Sequence, residues 1–206
     1  MRSRARELLP QVLLTVLSII QALALEVLWS SMRESPHLWN GGLAATIGWI
    51  QVLAVFLGIL VMWLFYISIV FRYSWTPTIS DSAVPFVLGV LEFTMAEMLE
   101  PDLLHYWFYV LAAIFAGAST SSVVILRRAL ADDANREMRD AFDYSIRETA
   151  LQAGGMVGTL LLAGLIVHWR GPDGWIALFA VVIASLILML QIGFIRSHWN
   201  RALHEQ

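Results

Sequence analysis

Successive runs of about 20 apolar residues, parted by short polar or charged stretches, decide what this chain can fold into. Such a run crosses the ~30 Å hydrocarbon layer of a bilayer as an α-helix, since lipid offers backbone amides no partner and the helix satisfies them internally. The runs cover Leu8–Trp29, Leu43–Phe71, Ala83–Leu99, Leu103–Leu126, Leu151–Trp169 and Trp175–Ile195. A soluble domain of 206 residues has one core to fill and no use for so many. Composition agrees: 59% of residues are hydrophobic and 14% charged, where soluble domains average ~45–50% and ~25%. The sequence predicts an all-α, polytopic integral membrane bundle of six transmembrane helices. Residues 1–206 form a single transmembrane domain of three successive helical hairpins. The start, MRSRARELLPQVLL, is basic and then apolar like a signal peptide. It lacks a small-x-small cleavage site and continues long enough to span, so it is expected to be a retained first helix.

Arginine sets the orientation. With the N-terminus inside, the cytoplasmic segments hold Arg2, Arg4, Arg6, Arg72, Arg127, Arg128, Arg136, Arg139, Arg147, Arg196 and Arg201, and the outer turns hold Arg33 and Arg170. Cytoplasmic loops carry the excess of basic residues, so six spans with both termini cytoplasmic, in the cell (inner) membrane, satisfy the rule at both ends. Dropping one span moves a group of arginines outside. Trp29, Trp39, Trp107, Trp169 and Trp175 fall at outer edges and Trp75 and Trp199 just past inner ones, where their amphipathic rings suit the headgroup layer. Trp49 and Trp63 lie deeper and are expected to pack. The third run is the shortest and most polar, and a re-entrant segment is the alternative reading for it.

Residue types exclude several functions. There is no cysteine, hence no disulfide, thiolate metal site or thiol nucleophile. Every basic residue is arginine, which removes Schiff-base chemistry. A net charge of −3 argues against nucleic acid as a partner. His37, His105, His168, His198 and His204 lie near edges, loops or the tail, with no HExxH and no GxSxG. No facing histidine pair is predicted for haem. The expectation is therefore no catalytic residues, no metal and no cofactor. His105 and His168 with the outer carboxylates come nearest to a metal site.

Residues 127–148, RRALADDANREMRDAFDYSIRE, lack Gly and Pro and carry opposite charges at four-residue spacing, such as Asp132 with Arg136 and Asp143 with Arg147. They read as a cytoplasmic amphipathic connecting helix, either a solvated connector or a contact surface for a partner protein.

The third run poses the chemical question, because SDSAVPFVLGVLEFTMAEMLEPD (residues 80–102) carries Glu92 and Glu97. Counting ~1.5 Å per residue from Ser82 places Glu92 ~15 Å deep, near the midplane. A carboxylate there costs ~2.5 kcal/mol or more, so a partner, water or a proton must compensate. Ser82, Pro85, Gly89, Glu92, Ala96 and Glu100 recur at three- and four-residue steps and share a small, polar face. Phe86, Val90, Phe93 and Glu97 form a bulkier one. The small face belongs against other helices or along a hydrated path. Gln51 in the second run matches Glu92 in depth, and Gln21 and Glu26 occupy the outer half of the first. AGASTSS (116–122) supplies hydroxyls, and Gly154, Gly155 and Gly158 allow close backbone approach. No Arg lies mid-membrane. Glu92 is then a neutral acid hydrogen-bonded between helices, or a group met by water or an ion.

Ile79-Ser80-Asp81 resembles the Phe-Ser-Asp signature of a small six-helix bacterial potassium channel family over about a dozen residues, although Ser-Asp at a helix start is also ordinary N-capping. In that family the motif opens the first helix, and no membership is assigned from it. The leading expectation is an oligomeric channel or transporter subunit, a homo-oligomer in the lipid bilayer, passing protons or small cations. Glu92, Gln51, Asp81, Glu97 and Glu26 line its pathway, and Glu100, Asp102 and His105 its outer vestibule. The alternative is a non-catalytic accessory or sensor subunit that assembles with a partner protein. A third reading, an intramembrane lipid enzyme, requires His105 or the carboxylates to line a lipid-accessible cleft.

Overall fold

The computed structural model describes residues 2–72, 78–131 and 146–204, with side chains for 10–71, 78, 83–131 and 150–197. It is helical throughout, with no strand among the described residues: α1 (Arg2–Glu34), α2 (Gly42–Arg72), α3 (Ile79–Glu97), α4 (Leu104–Leu130), α5 (Ile146–Arg170) and α6 (Trp175–His204). Short 3₁₀ turns, Pro36–Leu38 and Pro101–Leu103, precede α2 and α4. Each opens on a proline, whose missing N–H is no loss in a first turn. Gly171 ends α5 with φ +90° while its N–H donates to the Val167 carbonyl at 2.9 Å. That left-handed C-cap is nearly free for glycine and strained for any other residue.

Five helical stretches are long and apolar enough to cross a membrane among the described residues: Pro10–Glu34, Gly42–Phe71, Pro101–Leu130, Ala150–Arg170 and Trp175–Ser197. α3 is the exception, being 19 residues long and so ~28 Å end to end. It is nevertheless one continuous helix from one end of the bundle towards the other. At its start, Arg128 Nη1 near the end of α4 donates to Thr78 Oγ1 at 3.0 Å. Beyond its finish, Glu100 approaches His37 of the first turn at 3.7 Å. The turns at His37, Pro101 and Pro172 line one small cavity, so all three hairpins reverse at the same end.

The helices neighbour one another in the cyclic order α1, α3, α4, α5, α6, α2, with α2 also touching α3. The most extensive interfaces are α4 with α5, α2 with α6 and α1 with α3. Each joins different hairpins, so the hairpins interlock. Leu17, Ala54, Val55, Met95, Ala96, Trp107, Phe108 and Val181 fill the interior. Close approaches rest on two glycines. A Cβ on Gly89 would collide with Ile20 of α1, and one on Gly164 would lie 2.7 Å from Tyr109 of α4.

Two expectations change. Gly154, Gly155 and Gly158 face open space, with nothing within 4 Å of a Cβ added to them; the close approach on α5 is made one turn and a half later, by Gly164. Trp107 is fully buried and packs edge-on against Phe108, in the core and not at an exposed edge. Trp29, Trp39, Trp169 and Trp175 are exposed as a headgroup belt requires; the side chains of Trp75 and Trp199 lie outside the described ones. Most of the expected 127–148 helix also lies outside the described residues, between the end of α4 and the start of α5.

Candidate functional site: a sealed acid–amide seam

The small face of α3 is the buried one. Pro85, Gly89, Glu92 and Ala96 point into the bundle, and Phe86, Val90 and Glu97 point out. Gly89 lets α1 approach, and one turn later that approach brings two long polar side chains together. Gln21 Nε2 of α1 donates to Glu92 Oε2 at 2.8 Å. Glu92 is 1% exposed and Gln21 5%, so the bond is made away from lipid and water. Gln21 lies 13 residues before the end of α1 and so ~20 Å below it, close to half the ~46 Å length of α2.

Two oxygens of the pair, Gln21 Oε1 and Glu92 Oε1, have no hydrogen-bond partner. An ionised carboxylate only accepts, and leaves both oxygens without a donor. The neutral acid carries one O–H, the donor the pair lacks. An acid–amide pair of this composition can close on itself with two bonds once a proton is present.

Gln51 is equally buried but serves another end. Its Nε2 donates to the Met98 carbonyl at 2.6 Å. Met98 follows the last residue of α3, where helical carbonyls run out of amide partners. Gln51 lies nine residues into α2, or ~14 Å from its start, so α3 ends well inside the bundle and the glutamine caps it there. The expected neighbour of Glu92 is thus replaced by Gln21. Depth counting admitted both, and only the α1–α3 contact distinguishes them.

The other predicted positions disperse. Asp81 lies in the first turn of α3, its side chain outside the described ones. Glu26, Glu97, Glu100 and Asp102 are exposed, Glu26 and Glu97 on outward helix faces. His105 is half-buried, 4.8 Å ring to ring from His168 of α5. His37, Gly48, Gln51, Leu99, Pro101 and Asp173 line a cavity of about 10 Å³ at the turn end, room for about one water. Among the described residues no group of three or more His, Asp or Glu side chains is placed to hold a metal ion.

No protein-family model matches the chain, and neither a curated protein nor a solved structure does.

Proposed function

We propose that this chain is a six-span, non-catalytic membrane subunit with both termini cytoplasmic, which assembles with a partner membrane protein. The observation that carries this reading is the enclosure of Glu92. It is bonded to Gln21 in a helix–helix seam, as a residue that locks two helices in register would be. The α5 flank offers a place for a partner, because Gly154, Gly155 and Gly158 present bare backbone to the outside, the surface on which another helix packs closely in lipid. Arginine distribution, three turns at one end and the ~28 Å length of α3 support the six-span topology.

Passage of protons or small cations is the second reading. It draws on the two partnerless oxygens at mid-depth, which make a place for a proton, and on the exposed carboxylates Glu26, Glu97, Glu100 and Asp102 near the turn end.

The two separate cleanly. Extraction into native lipid discs should yield a stoichiometric partner protein that Gly154→Leu with Gly158→Leu releases and Glu92→Gln retains. Purified protein in liposomes should pass no protons or potassium above empty vesicles. A flux that Glu92→Gln abolishes would overturn the subunit reading in favour of transport.

A further inference from the structure

The geometry points to a two-histidine site for a divalent transition-metal ion, formed by His105 and His168 where α4 and α5 meet at the turn end. The register of these antiparallel helices explains the pairing. Gly164 of α5 abuts Tyr109 of α4, and one turn nearer the turn end on each helix stand His168 and His105. His105 lies four residues before Tyr109 and His168 four after Gly164, as antiparallel neighbours one turn apart must. The ring centres lie 4.8 Å apart with planes inclined at 54°. Imidazole nitrogens ~2.0–2.1 Å from one tetrahedral zinc ion set their ring centres about 5 Å apart, so the rings already have the spacing of a shared ligand pair. Stacked parallel rings would not be inclined in this way.

The surroundings suit such an ion. Tyr106 lies against His105 at 3.9 Å with its plane tilted by 40°, and Tyr109 meets it edge-on at 6.4 Å, fixing the orientation of the half-buried ring. His168 is exposed, so water completes the coordination and the ion enters from the turn side. Neutral imidazole prefers zinc, nickel and copper to magnesium or calcium. Two ligands from facing helices would tie α4 to α5 at the turn end.

The test titrates zinc chloride alone into full-length protein carrying a tag without histidine, by calorimetry and thermal unfolding. The expected result is saturable binding of one ion per chain, a raised unfolding temperature, and no response to magnesium. His105→Ala and His168→Ala should each weaken binding at least tenfold, while His198→Ala with His204→Ala leaves it unchanged. His105→Asn, which keeps a polar group beside Tyr106, guards against loss through misfolding: its metal-free unfolding temperature should match the parent and its zinc response should be absent. Zinc binding that survives His105→Ala, or no saturable binding, overturns the site.

Discussion

If Gln21 and Glu92 are a packed lock, their energies must be coupled, and a double-mutant cycle measures the coupling directly. Gln21→Leu leaves a buried carboxyl with no donor and Glu92→Leu leaves a buried amide with no acceptor. Each such orphan costs ~1–3 kcal/mol, because the side chains are 5% exposed or less. The double variant removes both polar groups and replaces them with apolar ones of similar reach. It should be less damaged than the sum of the singles by ~0.6–1.7 kcal/mol, the range found for hydrogen bonds between helices in lipid. Glu92→Gln supplies the control. An amide at this position can both accept from Gln21 Nε2 and donate to Gln21 Oε1, which is the pairing of a neutral acid, so its stability should lie within ~0.5 kcal/mol of the parent. Reversible unfolding in bicelles, followed by tryptophan emission, reads all five species. Additive single effects would show that the 2.8 Å bond carries no energy, and the lock would be discarded. A Glu92→Gln protein destabilised as much as Glu92→Leu would show instead that this seam requires a carboxylate.

Two further outcomes follow from the geometry. Gln51→Leu removes the donor from the half-buried Met98 carbonyl and should cost ~1 kcal/mol or more, whereas Gln152→Leu on the exposed face of α5 should change stability by less than ~0.5 kcal/mol; equal effects would refute the capping role. Because the chain has no cysteine, single cysteines can report sidedness. An impermeant maleimide applied to intact cells should label Asn40→Cys and Asp173→Cys but spare Ser197→Cys, and the reverse pattern would invert the topology.

The helices were legible because lipid imposes a length and an apolar composition on every crossing segment, and that pattern is local. Gly42–Phe71 and Trp175–Ser197 fall within a few residues of the runs read from sequence. The buried face of α3 was legible too: Pro85, Gly89, Glu92 and Ala96 follow a helical period, and a carboxylate at mid-depth has to face inward. What could not be read was which neighbour that face meets. Apolar helices resemble one another on every side, and nothing in a single sequence ranks α1 above α2 as the companion of Glu92. Depth counting admitted both Gln21 and Gln51, and the choice depends on Gly89 admitting Ile20. The glycines of α5 misled for a related reason. Small residues permit a close approach without specifying the helix that makes it, and within this chain Gly164 takes that role.

The polar contacts of α3 suggest why a costly acid is kept where leucine would insert more easily. Between helices in a bilayer there is no hydrophobic force to choose one packing over another, since lipid is as apolar as the helix surfaces. A short helix among longer ones is the element most free to slide. α3 is held at three heights: by Arg128 against Thr78 at its start, by Gln21 against Glu92 along its length, and by Gln51 against Met98 at its end. A slip of one turn, ~5.4 Å, breaks all three at once and strands a carboxyl and two amides in hydrocarbon. An apolar residue at 92 would leave the ends tethered and the middle indifferent to register. The acid therefore earns its place by making the wrong alignments expensive, in the way a single buried polar residue fixes the register of a coiled coil.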